Sequence, residues 1–133
     1  MGPDAGEGGR VRRGRRRRLS RSAEFERVYR EGSSHASRHL VLHSFPRPNA
    51  SDEPRLGISV GRKVGGAVER TRMKRLLREA FWAAAQELPA GHDFVLVARP
   101  DASELAERGE QAVEQALREL LGEARLLGGE EAR

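Results

Sequence analysis

The strongest constraint on this chain is one long helix with two different faces, predicted to begin at Ala67. Pro89 and Gly91 end it near Leu88. An apolar stripe of about four turns marks the side that must be covered by a sheet or by other helices. Its members are Met73, Leu76, Leu77, Ala80, Phe81, Ala84 and Leu88.

The other face of this helix is basic. At about 100° per residue, six side chains lie on or just beside an arc of about 140°: Arg70, Thr71, Lys74, Arg75, Arg78 and, at the margin, Arg72. The preceding glycine loop adds Arg62 and Lys63, so residues 62–78 hold seven basic side chains and one acid. Like charges four residues apart repel, so the face predicts an external anion rather than a solvated surface. Backbone N–H groups of the loop and of the helix N-terminus would also approach a phosphate.

The charge distribution supports a polyanionic partner. Residues 1–100 carry 21 Lys and Arg against 11 Asp and Glu, whereas residues 101–133 carry 4 against 9. Arginine, which greatly outnumbers lysine here, makes bidentate contacts with phosphate. Nucleic acid is therefore favoured over an anionic membrane surface or a general solubilising role.

Composition also excludes several classes. Without cysteine there can be no disulfide, zinc thiolate or cysteine nucleophile, which is compatible with a reducing compartment. No stretch approaches the ~20 apolar residues of a membrane span, and no apolar run follows the basic N-terminus as in a signal peptide. We expect a cytoplasmic protein with no membrane partner.

Periodicity predicts the element order α-β-β-α-β-α. Phe25, Val28 and Tyr29 indicate a short amphipathic helix ended by Gly32. Three strands are predicted at residues 39–45, 55–60 and 92–98, the first two as a hairpin and the last, a near-continuous apolar run, as a buried central strand. A last helix should run from Ser103 to about Leu121. The fold class is α+β, a two-layer sandwich with helices packed on a small central sheet.

The chain divides into three parts by composition. Residues 1–18 are rich in Gly and Arg and should form a disordered basic arm. Its run Arg15–Arg18 reads either as a phosphate-binding arm or as a solubilising tail. Residues 19–124 form one folded domain, and residues 125–133 form a C-terminal tail.

Catalytic and metal sites are not predicted in the protein. No Ser/His/Asp set or phosphate-loop motif is present, and the acidic pair Asp52 and Glu53 has the character of a turn. His35, His39 and His43 repeat every four residues. On a strand, however, His39 and His43 would lie about 13 Å apart, too far to share one ion.

Several motifs, in order, resemble the bacterial ribonuclease P protein family over roughly residues 19–121. The main one is residues 61–81 (GRKVGGAVERTRMKRLLREAF), similar to a family helix with an Arg-Asn-Arg core. The others are the helix from Phe25 to Tyr29, Arg38 before the first strand, and the strands LGISV and FVLVARP. Thr71 and Gly66 stand where the family usually has Asn. Thr71 lacks the paired donor and acceptor of an amide.

The resemblance implies a ribonucleoprotein endonuclease that removes the 5′ leader from precursor tRNA. Its RNA subunit, with bound magnesium, would perform the hydrolysis, and the protein itself would bind no cofactor and no DNA. It also implies a left-handed β-α-β crossover around the long helix. The residues expected to contact the RNA subunit are Arg62, Lys63, Arg70, Thr71, Arg72, Lys74, Arg75 and Arg78.

The resemblance further implies a cleft for the leader of precursor tRNA, lined by Phe25, Tyr29, Arg38, Val41 and His43. Aromatic rings hold single-stranded RNA by stacking. The competing interpretation is that Phe25 and Tyr29, four residues apart on a short helix, belong to the core. The cleft requires that the first helix flank the sheet face that carries His43.

Two other functions remain open. A structural ribosomal-type protein would share the charge and the basic helix but not a groove for single strands. A helix-turn-helix DNA-binding protein would need a second helix immediately before Ala67, where the sequence predicts a strand and a glycine loop.

Overall fold

The computed structural model describes Leu19, residues 22–47 and residues 53–126. Residues 1–18, which include the basic arm, and most of the C-terminal tail lie outside the described residues, as does Asp52. The elements, in chain order, are α1 (Ser22–Glu31), β1 (Ser33–Ala36), β2 (Leu40–Pro46), β3 (Arg55–Val60), α2 (Ala67–Ala83), β4 (His92–Ala98), α3 (Ala102–Arg108) and α4 (Glu110–Glu123). An α+β fold with helices packed on a small sheet is confirmed. None of the helices in these ranges is long and apolar enough to cross a membrane.

The central strand β4 organises the sheet, whose order is β1-β2-β4-β3. It pairs antiparallel with β2 and parallel with β3. Phe94 and Leu96 are buried on one face and Val95 on the other. A strand that is apolar on both faces must be covered on both, as the sequence predicted for a buried central strand in this segment.

The predicted hairpin between β2 and β3 is wrong. The two strands are consecutive in the chain, but β4 lies between them. Because β3 and β4 are parallel neighbours, α2 must carry the chain back across the sheet between them. This pairing establishes the β-α-β crossover, and its left-handed sense stays a prediction.

The edge strand β1 was missed because its sequence, Ser-Ser-His-Ala, has no apolar alternation. It forms a short antiparallel pair with β2, from Ser33 opposite Ser44 to Ala36 opposite Val41. A tight turn holds the connection, in which the Ser37 hydroxyl accepts hydrogen bonds from the backbone N–H groups of His39 and Leu40. A short polar strand is typical of an exposed sheet edge.

The main core lies between the sheet and the helices α2, α3 and α4. Its largest fully buried side chains include Phe81 from α2, Phe94 and Leu96 from β4, and Leu117 and Leu120 from α4. Each of these helices has a single apolar stripe, and packing on the sheet and on one another removes the stripes from water.

Two predicted helix boundaries differ from the structure. The α-helix α2 ends at Ala83, and a 3-10 turn (Ala85–Glu87) follows. Ala84 and Leu88 are still buried, so apolar spacing alone could not separate the turn from the helix. The predicted last helix is two helices, because Gly109 adopts φ 102°, a conformation suited to glycine, between α3 and α4.

The first helix, α1, covers part of the opposite face of the sheet. Val28 packs there with Leu19 and Val95, and Phe25 lies over Gly57. A Cβ atom added to Gly57 would approach Phe25 Cζ to 2.5 Å, so this close approach depends on glycine. α1 therefore flanks the sheet face that carries His43, because His43, Val95 and Gly57 form one row across the strands.

A cluster of four charged residues, termed the ion cluster, fixes α1 to the sheet. Asp93 is fully buried and accepts two hydrogen bonds from Arg55, at 2.8 and 2.7 Å. Arg55 also donates to Glu24 of α1 at 3.0 Å, and Arg47 Nε lies 2.9 Å from Asp93 Oδ1. The hydrogen bond to Asp93, with smaller contributions from both carboxylates, raises the pKa of Arg55.

Candidate nucleic-acid interface

The basic side chains of α2 and its preceding loop form one surface, termed the basic face: Arg62, Lys63, Arg70, Thr71, Arg72, Lys74, Arg75 and Arg78. All are exposed except Arg70, which is half-buried. Within residues 22–47 and 53–126, none of its seven cations forms a salt bridge, whereas Arg38 and Arg55 each bind two carboxylates and Arg118 binds one. The basic face thus carries uncompensated positive charge on a rigid helix.

The loop that begins the basic face is also fixed in shape. Arg62 and Lys63 lie in a 3-10 turn (Arg62–Val64) whose third residue, Val64, is buried in the main core. Burial of Val64 holds the turn against the body while the two basic side chains remain exposed. The loop therefore extends the basic face beyond the N-terminal end of α2.

Glu69 changes the expectation for the helix N-terminus. A Cβ atom added to Gly65 would lie 2.8 Å from Glu69 Cβ, and one added to Gly66 would lie 3.0 Å from Glu69 Oε1. The Glu69 side chain is therefore folded back over the two glycines. A phosphate that approached these backbone N–H groups would be repelled by the Glu69 carboxylate. We therefore expect phosphates to contact the arginine and lysine side chains instead.

On the other surface, three rings from α1 and β2 lie together and are termed the aromatic row: Phe25, Tyr29 and His43. The ring centroids of Phe25 and Tyr29 are 6.3 Å apart, and those of Tyr29 and His43 are 4.7 Å apart in an edge-to-face arrangement. Phe25 is anchored over Gly57, whereas Tyr29 is 43% exposed. The row therefore combines a packed end, Phe25, with an accessible middle ring, Tyr29.

Partial burial sets the ionisation of this row. Desolvation lowers the pKa of His43 below its usual value and raises the pKa of Tyr29. Both side chains are therefore uncharged at neutral pH. The aromatic row can stack on a base, but it adds no charge for a phosphate.

The other two predicted cleft residues lie in different environments. Val41 is half-buried on β2, two residues from His43 and on the same face. Arg38 is outside the row, in the turn before β2, and its guanidinium is bound by Asp101 at 3.1 Å and Glu104 at 3.2 Å. The structure thus brings Val41 to the aromatic row and holds Arg38 against α3.

The three repeated histidines are separated. His35 pairs across from Leu42, on the face opposite to His43, while His39 Nε2 lies 3.4 Å from Glu104. In the described ranges, no group of three or more His, Asp or Glu side chains is arranged to hold a metal ion.

One contact near the aromatic row was missed by the sequence analysis. The Arg27 guanidinium lies 5.5 Å from the centroid of the Phe45 ring. Two-residue alternation along β2 already placed Phe45 on the same face as His43. No sequence signal linked Arg27 to it, because that contact depends on where α1 crosses the sheet.

Residues 14–125 match the family model described as Ribonuclease P. The ribonuclease P protein component of Bacillus pumilus is 43% identical over 91 residues, which are 68% of this chain and 76% of the relative. That of Brevibacillus brevis is 36% identical over 113 residues, 85% of this chain and 86% of the relative.

Solved structures resemble the fold over most of its length. The Staphylococcus aureus RNase P protein superposes with a TM-score of 0.74 at 32% identity, covering 84% of this chain and 97% of that chain. The Thermotoga maritima RNase P protein gives 0.71 at 34% identity, covering 81% and 97%.

Proposed function

The chain belongs to the ribonuclease P protein family, and from this premise we propose that it binds two RNAs on two separate surfaces. It is a protein subunit of ribonuclease P, the enzyme that cleaves precursor tRNA. Its RNA partners, in this proposal, are the ribonuclease P RNA subunit and the 5′ leader of precursor tRNA. The alternative of a structural ribosomal-type protein is not favoured by the family match or by the similar structures.

The observation that carries the proposal is the lack of salt bridges between the basic face and the rest of the chain that the structure describes. Within residues 53–126, Arg118 lies on a helix surface and is neutralised by Glu87 at 2.8 Å. Among the described residues, the cations of residues 62–78 have no such partner, although they repel one another along α2. A phosphate backbone would supply the missing negative charge and release bound counterions. We therefore assign the basic face to the RNA subunit.

The aromatic row supports the second contact. Its rings are neutral and partly exposed, and stacking of bases on such rings tolerates any sequence. A leader differs in sequence from one precursor tRNA to another, so a sequence-tolerant platform suits it. We assign Phe25, Tyr29, Val41 and His43 to the leader, and Arg38 to a supporting position at the adjacent turn.

We expect the catalytic chemistry in the RNA subunit, with its magnesium, and not in this chain. Three carboxylates of the sheet and of α3 are already paired with arginines. Asp93 is bound by Arg55 inside the ion cluster, and Asp101 and Glu104 are bound by Arg38. We place the assembled enzyme in the cytoplasm, where its RNA partners are made.

The test is the salt dependence of binding to the ribonuclease P RNA subunit. Changing Arg70, Arg72 and Arg75 together to Ala should lower affinity and reduce the slope of log K against log salt. Each lost phosphate contact removes about 0.7–0.9 from the slope. Folding should persist, because these side chains lie off the buried stripe.

A matched control removes the same net charge elsewhere. Changing Arg108, Arg118 and Arg125 to Ala takes three cations from α3, α4 and the following turn and should leave the slope unchanged. If a folded basic-face variant keeps the wild-type slope, or both variants lose slope equally, the assignment of the basic face is wrong. RNA recovered with the protein from cells should contain the ribonuclease P RNA. Ribosomal RNA alone would instead favour the structural alternative.

A further inference from the structure

Val68 is an apolar side chain in an unexpected place. Among the described residues, the large hydrophobic side chains that are exposed are Tyr29, at 43%, and Val68, at 78%. Tyr29 belongs to the aromatic row. Val68 lies in the first turn of α2, outside the main core. Neither the fold nor the leader contact accounts for it.

Helix geometry places Val68 within the basic face. At about 100° per residue, Arg75 lies about 20° to one side of Val68 and Arg72 about 40° to the other. Thr71, at i+3, is also a neighbour on this surface. By the same count the buried side chains Leu76, Ala80 and Met73 lie about 80–140° away from Val68. Val68 is thus an apolar spot at the N-terminal end of the basic face, followed along the helix surface by Thr71, Arg72 and Arg75.

Helix stability does not explain a valine at this position. Its branched side chain loses rotamer freedom in a helix, so Ala, Lys or Arg would be more favourable on an exposed surface. An interface that acted only through charge would also gain from another cation there. An apolar side chain becomes favourable when binding removes it from water.

We propose that Val68 is the apolar centre of the basic face and packs against ribose in the minor groove of a paired RNA segment. Arg72 and Arg75 bind the phosphates on either side, and the Thr71 hydroxyl hydrogen-bonds a 2′-hydroxyl. Paired RNA fits this surface because its minor groove is wide, shallow and lined by ribose 2′-hydroxyls. The inference rests on the proposed function, because it requires that α2 bind RNA.

The two kinds of contact respond differently to salt. Cation–phosphate contacts release counterions and weaken as salt rises. Burial of the Val68 side chain releases none, so its contribution is the same at every salt concentration. Salt dependence can therefore separate Val68 from its neighbours.

The experiment measures binding of the full-length protein to the ribonuclease P RNA subunit over a range of salt concentrations. Val68→Ala removes two methyl groups and should weaken binding about three- to tenfold at every salt concentration, with an unchanged slope. Lys74→Ala, the control on the same helix, should reduce the slope. Val68→Lys should bind more weakly than wild type at high salt despite its extra charge. Because Val68 is exposed, these variants should fold, which circular dichroism can verify.

A second binding experiment tests whether Val68 contacts paired or single-stranded RNA. The loss caused by Val68→Ala should appear with an RNA duplex and be absent with a single strand of equal length. Equal losses on both would overturn the minor-groove assignment. Wild-type affinity of Val68→Ala, or tighter binding by Val68→Lys at all salts, would overturn the inference while leaving the proposed function intact. Failure of the proposed function would instead appear as an unchanged slope in the Arg70, Arg72 and Arg75 variant.

Discussion

The arginines of the ion cluster and those of the basic face have the same side chain and opposite surroundings. Arg55 is largely buried and forms salt bridges with two carboxylates, one of them fully buried. The arginines of α2 lie on an exposed helix face without a salt bridge in the described part of the chain. Pairing, rather than charge alone, therefore separates the arginines that hold the fold from those that are available to RNA.

The largest expected effect falls on the ion cluster. Arg55→Ala leaves the buried carboxylate of Asp93 with Arg47 as its remaining partner in the cluster. It should lower the free energy of unfolding by about 3 kcal/mol, because a fully buried carboxylate loses one of its two cations and both hydrogen bonds that Arg55 donates. Urea denaturation would measure the loss.

A double variant sharpens this comparison. Arg55→Ala combined with Asp93→Asn also removes the negative charge of the buried Asp93 carboxylate. The double variant should therefore recover part of the lost free energy of unfolding. The salt slope of RNA binding should match wild type in both variants. A loss below about 1 kcal/mol, or a reduced salt slope, would mean that Arg55 behaves like an arginine of the basic face.

The aromatic row should give an intermediate effect that depends on the substrate. Replacing Tyr29 and His43 with Ala should weaken binding of precursor tRNA by about 1–3 kcal/mol per base that was stacked. Binding of mature tRNA and of the RNA subunit should change little. Affinities of the assembled enzyme for the two tRNAs provide the measurement, with Tyr29→Phe as the control that keeps the ring. Loss of folding, or an unchanged preference for precursor tRNA, would assign the rings to the core.

The smallest expected effect concerns Glu69, the acid within the basic face. Glu69→Gln keeps the shape of the side chain and removes its negative charge near the glycine loop. RNA affinity should rise by about 0.3–1 kcal/mol, the range of an exposed charge interaction. Titration with the RNA subunit at low salt would detect it. Glu107→Gln on α3 is the matched control, and equal gains in both variants would show a general charge effect.

Much of the fold and of the basic face followed from the sequence because both depend on local periodicity. The stripe through Met73 and Phe81 predicted which side of α2 is buried, and the same rotation placed Arg70, Arg75 and Arg78 outside. The near-continuous apolar run of β4 predicted a buried central strand. These patterns repeat within a few residues, so no tertiary information was needed.

The features that were missed depend on distant contacts. Asp93 binds Arg55, which is 38 residues away in the sequence, and Arg38 binds Asp101, which is 63 residues away. The hairpin prediction failed because neighbours in the chain need not be neighbours in the sheet, and the polar β1 forms only because β2 supplies its partner. The sequence predicted contact between Tyr29 and His43 only if α1 packs on the sheet face that carries His43, and it did not predict that packing.

The sheet order also has a consequence for how the protein is made. The strands β2 and β3 leave the ribosome before β4, the strand that joins them. The 38 residues from Val60 to Ala98 take about 2–8 s to synthesise at about 5–20 residues per second. During this interval α2 has already been translated with its cations, while the central partner of both strands is missing. A nascent chain therefore offers RNA its basic helix before its sheet can close.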